Sequence, residues 1–103
     1  IELPIEKEWA RHSFWMFSIL LKNSVKISRD RFMQLLSMEG IETRPVFYPL
    51  TDMPPYKNTG EKFPIAKKIA ARGINIPTHA GLTKQDIQYI AKIIKKYCFQ
   101  FSK

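Results

Sequence analysis

Residues 13–22 constrain the fold most, because most side chains in this segment are apolar and they follow no helical period. An extended chain places alternate residues on opposite faces, so both faces of such a strand carry apolar side chains. One set comprises Trp15, Phe17, Ile19 and Leu21, and the other comprises Phe14, Met16 and Leu20. Strands of this kind are covered on both sides, as in layered structures of helices and sheets. The segment therefore predicts a two-layer domain whose first strand needs a partner surface beyond its own helices.

A helix and a second strand are predicted next. Ser28 is a suitable N-cap for a helix over residues 29–39, and Gly40 supplies a left-handed stop. Residues 41–47 are typical of a strand. Because Pro45 has no N–H to donate, it places this strand at a sheet edge or close to its own end.

The C-terminal part predicts two more helices around a short strand. Pro64 begins a helix that Gly73 ends, residues 74–77 form the strand, and Thr83 with Asp86 has the spacing of a capping box. Apolar residues then repeat at helical spacing for about four turns. They are Ile87, Ile90, Ala91, Ile94, Tyr97, Cys98 and Phe101.

This order of elements predicts an α/β (α+β) fold: a small three-stranded mixed sheet with helices packed mainly on one face. The length of chain before the third strand allows that strand to lie between the first two, in a split β-α-β arrangement. The pattern leaves the direction of the strands open. We expect one domain over residues 1–103, in which residues 1–11 are a lead-in and the chain is the cut end of a longer protein.

A proline-rich loop over residues 45–62 separates the two halves. It holds four of the seven prolines, and Asn58 and Gly60 follow them closely. Proline restricts the unfolded chain, so such a loop is stiff for its length. A stiff loop that carries aromatic residues either presents them to a ligand or covers a sheet edge, and both interpretations stay open.

The charge is strongly positive, with 17 Lys and Arg against 9 Asp and Glu and a net charge of +8. Such a surface attracts polyanions, so a stand-alone basic module for nucleic acid or another polyanion is one functional hypothesis. Many of the lysines instead fit the water-facing sides of helices, which is the favoured interpretation. They are Lys67, Lys68, Lys84, Lys92, Lys95, Lys96 and Lys103. The longest apolar run, 14–21, is too short to span a membrane.

Few residues could carry chemistry. His12 and His79 have no further ligands at metal-binding spacing, so no metal site is predicted; His12 is expected to pack at the strand edge. His79 lies in a turn, where exposure to solvent is favoured over a ligand contact. Cys98 lies on a buried helical stripe and is expected to be inert, and a single cysteine suits a reducing, cytoplasmic setting. Without a nucleophile or phosphate-loop motif, the chain by itself is not predicted to be an enzyme.

Five segments carry a resemblance to a known family. They are residues 40–56, 74–83, 12–19, 63–66 and 82–87. Taken in their order along the chain, they strongly resemble the C-terminal region of the DegT/StrS sugar-nucleotide aminotransferases, which use pyridoxal phosphate. Within that family they are most similar to the perosamine synthases. Linked motifs over nearly the whole chain are far more specific than any one of them.

The resemblance implies the C-terminal small domain of a fold-type I aminotransferase. In that family a large domain carries the Schiff-base lysine and most phosphate contacts, so the cofactor is expected in a full-length parent and not in this chain. The implied reaction moves an amino group from glutamate to a 4-keto nucleotide sugar, for polysaccharide or O-antigen synthesis. The implied parent is a cytoplasmic homodimer, with no membrane partner.

The resemblance also implies substrate-binding residues. Arg44, Tyr48 and Tyr56 match the motif that borders the sugar-nucleotide site, where an arginine could pair with a diphosphate. The alternative is that Arg44 satisfies an interdomain carboxylate and the tyrosines anchor the loop. Many family members have histidine where this chain has Thr51, which forms hydrogen bonds but does not change charge near neutral pH. That difference leaves the sugar and the activity of the parent open.

Overall fold

The computed structural model describes residues 1–57 and 60–102. The strands are β1 (Phe17–Leu20), β2 (Arg44–Pro45) and β3 (Gly73–Ile76), and the helices are α1 (Arg29–Met38), α2 (Pro64–Arg72) and α3 (Lys84–Gln100). Two short 3-10 turns, Leu50–Asp52 and Pro54–Tyr56, lie in the proline-rich loop. The predicted order of elements is confirmed. Both early strands are shorter than the predicted ranges 13–22 and 41–47. The strand β1 begins only at Phe17, after a bend at residues 15–16 and a positive φ of 52° at Phe14.

The sheet has the strand order β1-β3-β2, which confirms the split β-α-β arrangement. Both pairs are antiparallel, so the mixed sheet expected from the sequence is wrong. The reason is that β1 and β2 run in the same direction but are separated by β3, so no parallel pair forms a ladder. Pro45 ends β2 at the sheet edge, as predicted. The free edge of β1 is partly covered by the lead-in, since Glu2 and Leu20 exchange two backbone hydrogen bonds of 2.8 and 3.1 Å.

One face of the sheet packs against α1 and α3. Ile19 on β1 lies opposite Ile74 on β3, and both are buried. They join a core in which Phe32 and Tyr97 meet edge to face, with ring centroids 6.5 Å apart. The other members include Leu21, Leu35, Leu36, Ile41, Ile90, Ile93 and Ile94. The predicted stripe on α3 is therefore confirmed in its middle, but Ile93 was missed. Ile87 is 55% exposed, at an apolar cavity that it lines together with Phe17 and Ile76.

Both ends of α1 follow their predicted signals. Ser28 Oγ accepts the Arg31 N–H at 3.2 Å. Gly40 has a φ of 78°, and the Gly40 and Ile41 N–H groups donate to the carbonyls of Ser37 and Leu36, which is the Schellman arrangement. No described helix is both long and apolar enough to cross a membrane.

The junction between α2 and β3 has no room for a side chain. A Cβ on Gly73 would lie 2.6 Å from both Val46 methyl carbons and 2.8 Å from the Ile69 carbonyl oxygen. Glycine therefore lets α2 lead directly into the central strand while Val46 packs over it. No residue of α2 is buried, however, and Ile65 on its apolar stripe is 73% exposed.

Candidate functional site

A cleft of about 730 Å³ lies at the β2 edge of the sheet, and we call it the edge cleft. Its walls come from β2 and the residues after it, from β3 with its following turn, and from α3. The polar and aromatic residues that line it include Arg44, Phe47, Asn75, His79 and Tyr89. Its volume lies within the range of small-molecule sites, about 300–1,000 Å³.

Asn75 is the polar centre of the outer sheet face. It alternates with the inward-facing Ile74, so its side chain is directed away from the core. Its Oδ1 accepts a hydrogen bond from the Ser18 hydroxyl at 2.5 Å, and its Nδ2 lies 3.5 Å from the Pro45 carbonyl oxygen and 3.3 Å from the Met16 sulfur. The short bond fixes the amide, while the two longer contacts leave Nδ2 able to donate to a ligand.

Arg44 lies beside Asn75, its partner in the β2–β3 register. Its side chain is 81% exposed, and its one ion pair is with the equally exposed Glu42, with 3.6 Å between Nη2 and Oε1. Exposed pairs of this kind contribute at most about 1 kcal/mol. The guanidinium is therefore available to an anionic ligand in the edge cleft, where it could form two parallel hydrogen bonds with a phosphate.

The other three sequence-predicted site residues do not line this cleft. Tyr48 and Tyr56 are exposed on the proline-rich loop. Thr51 is half-buried in the first 3-10 turn, where its hydroxyl oxygen is buried and has no hydrogen-bond partner among the described residues. Residues 58 and 59 of the predicted loop, including Asn58, lie outside the described residues, as does Lys103. Of the four predicted substrate-binding residues, the structure brings only Arg44 into the cleft. The role of all four in substrate binding stays a prediction.

Two exposed aromatic rings stand at the rim of the edge cleft. Trp15 and Phe47 have ring centroids 6.4 Å apart at an angle of 37°, and they are 74% and 71% exposed. Phe47 lines the cleft, and the Trp15 carbonyl accepts the hydroxyl of Thr78, another lining residue, at 3.4 Å. The sequence placed Trp15 on the same face as the buried Ile19. Trp15 is exposed instead, because Trp15 and Met16 lie in a bend and the regular alternation begins only at Phe17.

The turn before Trp15 is held in a strained conformation. A non-glycine residue in the left-handed region costs about 1–3 kcal/mol and persists only when its surroundings enforce it. The Phe14 N–H donates to His12 Nδ1 at 2.8 Å, and the two rings stack with centroids 4.2 Å apart. Glu6 in turn accepts the His12 N–H at 2.9 Å. Phe14 also stacks on Phe17 at 5.7 Å, which confirms that His12 packs at the start of the strand.

The α3 wall of the cleft is fixed by the end of α1. Glu39 Oε1 accepts hydrogen bonds from Lys96 Nζ and from the Tyr97 hydroxyl, both at 2.7 Å. The Tyr89 hydroxyl donates to the Glu39 carbonyl at 2.9 Å. The bond from Lys96 first, and that from Tyr97 second, lower the pKa of Glu39, and the same contacts raise the pKa of Lys96 and of Tyr97.

The N-terminus of α3 is held by the predicted capping box. Asp86 Oδ2 accepts the Thr83 N–H at 2.8 Å, and Thr83 Oγ1 accepts the Asp86 N–H at 3.1 Å. The backbone bond from Thr83, followed by its side-chain bond, lowers the pKa of Asp86. The capping box therefore provides hydrogen-bond partners within the chain at this end of the helix.

The residues that the structure describes do not fit covalent attachment of pyridoxal phosphate. All described lysines are exposed to solvent, and Lys96 has a raised pKa. An imine-forming lysine needs the opposite, a pKa lowered by desolvation or by a neighbouring cation. Burial also raises the pKa of the half-buried Cys98 thiol, which disfavours a nucleophilic role. Within residues 1–57 and 60–102, no three His, Cys, Asp or Glu side chains come together to hold a metal.

The fold and the cleft define a small α+β domain with a ligand-sized site at its sheet edge, and comparison with known proteins gives its family. Residues 1–95 match the DegT/DnrJ/EryC1/StrS aminotransferase family, and the chain belongs to that family. The family is dependent on pyridoxal phosphate, as the resemblance implied. Nothing in the comparisons supports the nucleic-acid alternative.

Several curated relatives are GDP-perosamine synthases. That of Caulobacter vibrioides is 42% identical over 81 residues, which are 78% of this chain and 22% of the relative. That of Vibrio cholerae is 39% identical over 88 residues, covering 84% of this chain and 24% of the relative. The chain therefore spans about a quarter of the length of these relatives.

Solved structures show the same fold. A DegT DnrJ EryC1 StrS aminotransferase from Brucella abortus superposes with a TM-score of 0.79 at 23% identity, over 93% of this chain and 26% of that one. An aminotransferase from Streptoalloteichus hindustanus superposes with a TM-score of 0.83 at 18% identity, over 99% of this chain and 27% of that one.

The edge cleft shows what the sequence missed. Asn75, Phe47 and His79 line it but were not among the predicted site residues. A signal for Asn75 was present, since a polar residue between two isoleucines on a short strand faces away from the core. No such signal existed for Phe47, whose exposure depends on how the chain leaves β2. His79 is exposed to solvent, which the sequence analysis favoured over a ligand contact, and it also lines the cleft.

Proposed function

We propose that this chain is the C-terminal small domain of a sugar aminotransferase that transfers an amino group to a 4-keto nucleotide sugar. The observation that supports this best is the position of Arg44, whose exposed guanidinium lines a ligand-sized cleft within a chain of this family. The amino-group chemistry belongs to the pyridoxal phosphate of a large domain. The residues of this chain bind and orient the substrate.

In this proposal the nucleotide sugar lies across the edge cleft. Arg44 pairs with the diphosphate, the only strongly anionic part of such a substrate. Asn75 Nδ2, which has two weak contacts, donates to a sugar oxygen. Tyr48, Thr51 and Tyr56 border the sugar from the proline-rich loop, where the hydroxyls of the two exposed tyrosines are available to a substrate oxygen.

A GDP-linked sugar is the proposed substrate class. Three relatives at 38–42% identity carry the name GDP-perosamine synthase, whereas two relatives at 30–32% carry the name dTDP-4-amino-4,6-dideoxy-D-glucose transaminase. Greater identity to the GDP-linked group supports a guanine nucleotide. Glutamate as donor, a homodimeric parent and a cytoplasmic setting complete the proposal, and these three rest on the family resemblance.

A chimera tests this function. This chain replaces the matching C-terminal segment of the Caulobacter vibrioides GDP-perosamine synthase, and amino transfer from glutamate to a GDP-linked 4-keto sugar is measured. We expect transfer, and we expect Arg44→Gln to raise KM about tenfold or more with little change in kcat, because a charge-assisted contact to the substrate is lost. The matched control is Arg31→Gln, an exposed arginine on α1, which should leave both constants unchanged.

The outcomes separate clearly. Cofactor loading is followed by its absorbance, so a chimera that folds and binds pyridoxal phosphate is recognised before activity is measured. If such a chimera fails to transfer the amino group to any nucleotide-linked keto sugar, the proposed function is wrong. If it transfers but Arg44→Gln behaves like Arg31→Gln, the placement of the diphosphate is wrong.

A further inference from the structure

We propose that Trp15 and Phe47 form a stacking platform for the purine base of the nucleotide sugar, an inference that rests on the proposed function and extends it to base recognition. The two rings stand at the rim of the cleft that Arg44 lines. The base would lie on the indole and phenyl faces, and the diphosphate would reach inward to Arg44.

The first support is the openness of the two rings. Their centroids are 6.4 Å apart with a 37° tilt, so the two rings do not stack in parallel on each other. Both are more than 70% exposed. Bases stack on exposed aromatic faces, and a tryptophan offers the largest such surface of any side chain.

The second support is the bend that leads into β1. Regular alternation along β1 would direct Trp15 to the buried face with Ile19. Trp15 and Met16 instead lie in a bend before the first residue of β1, and the indole of Trp15 is 74% exposed. The turn before this bend is held by the His12 hydrogen bond and ring stack on Phe14, whose left-handed conformation is strain of the kind found at functional sites.

The third support is the spacing between the platform and the cation. Phe47 follows Arg44 by three residues, which an extended chain separates by at most about 10 Å. A nucleoside diphosphate has its base and its terminal phosphate at opposite ends of a span of this order. Both residues line the edge cleft, so one ligand can contact the two together.

A platform of this kind favours a purine over a pyrimidine. Stacking free energy grows with the area of overlapping rings, and a fused two-ring base overlaps the indole of Trp15 more fully than a single ring does. Guanine is therefore the expected base, in agreement with the GDP-linked substrate class.

Two single-tryptophan variants of the full chain test the platform. The chain has only Trp9 and Trp15, so Trp9→Phe leaves Trp15 as the reporter and Trp15→Phe leaves Trp9. Trp9 is a matched control because it is 85% exposed and Trp15 is 74% exposed, but it is Trp15 whose ring pairs with Phe47 at the cleft. Each variant is titrated with GDP and with dTDP while tryptophan fluorescence is recorded.

We expect GDP to quench the fluorescence of Trp9→Phe saturably and to leave that of Trp15→Phe unchanged. dTDP should bind the Trp9→Phe variant more weakly than GDP does. Adding Phe47→Ala to the Trp9→Phe variant should weaken GDP binding about fivefold or more, which is the lower limit for losing one stacking partner. Equal quenching in both variants, or no saturable quenching of Trp15, would overturn the platform.

The chimera distinguishes this inference from the proposed function. Trp15→Ala should raise KM for a GDP-linked keto sugar about fivefold or more without a comparable change for a dTDP-linked one. If the chimera is active but this ratio stays constant, the platform is wrong and the function stands. If GDP quenches Trp15 in the isolated chain but the chimera never transfers an amino group, the base site stands and the function fails.

Discussion

The two sides of this domain differ in how completely they bury their own apolar residues. On the helical side, the sheet, α1 and α3 enclose Phe32 and Leu36 completely. On the edge side, Trp15, Phe47 and Leu50 remain largely in solvent. Large exposed apolar surfaces mark interaction sites in soluble proteins. The difference indicates that the first side accounts for the stability of the chain and that the second is shaped for contacts with something else.

The helices show the same division. α1 and α3 have side-chain caps at their N-termini and are joined through Glu39, whereas α2 has no side-chain cap and buries none of its residues. Its apolar stripe, with Ile65 and Ile69, faces solvent. Apolar side chains are thus exposed both on α2 and at the rim of the edge cleft.

The largest expected effect is on the helical side. Phe32→Ala removes a fully buried ring and should lower the free energy of unfolding by about 3–5 kcal/mol. Urea denaturation measures this loss. The matched control is Phe99→Ala, since that ring is 87% exposed on α3, and it should change the stability by less than about 0.5 kcal/mol. Similar losses in the two variants would contradict the comparison.

A smaller effect is expected where the two sides meet. Gly73→Ala forces a Cβ against the Val46 methyl groups and the Ile69 carbonyl, which should cost about 1–3 kcal/mol in urea denaturation. Gly81→Ala is the control, because its Cβ would meet only the His79 ring, at 3.2 Å. Equal stability of the two variants would mean that α2 shifts freely from β3.

The Glu39 contact predicts a pH dependence of the helical side. Its pKa in the folded chain is lowered from 4.5, so the carboxylate stabilises the fold above pH 4.5 and this contribution disappears as the pH falls through the lowered value. Glu39→Gln should therefore be less stable than the wild type at pH 7, with a difference that vanishes in acid. Tyr97→Phe, which removes one of the two donors, should give an intermediate profile in urea melts recorded across pH. A constant difference at all pH values would argue against the ionised contact.

The smallest effect is expected on the edge side. Thr51→Val keeps the shape of the side chain and removes a buried hydroxyl that has no partner. The free energy of unfolding should stay constant or rise by up to about 1 kcal/mol. A loss of more than that would reveal a partner for the hydroxyl within the chain.

Sequence patterns were sufficient for the elements whose signals are local. The caps at Ser28, Gly40 and Thr83 depend on neighbouring residues, and each lies where it was predicted. The exposure of Trp15 could not be predicted, because the apolar pattern continues through residues 15 and 16, where the backbone bends before β1. Strand direction was also beyond the pattern, since an apolar run is the same in a parallel and an antiparallel pair.

The candidate site could likewise be predicted only where its signal lies within one segment of the sequence. Arg44 was identified through a family motif, and its exposure on an edge strand agrees with that assignment. The cleft around it joins residues from four distant segments, including Met16, Asn75 and Tyr89. Such a set is created by packing and leaves little trace in any one segment.

The claim that the edge side is completed by the rest of a sugar aminotransferase has a direct test in amide hydrogen exchange. Exchange rates are compared between the isolated chain and the chimera with the Caulobacter vibrioides large domain. We predict that amides of α1 and α3 exchange equally slowly in both, while amides of residues 44–56 slow at least about tenfold in the chimera. Equal protection of residues 44–56 in the isolated chain and the chimera would contradict the account.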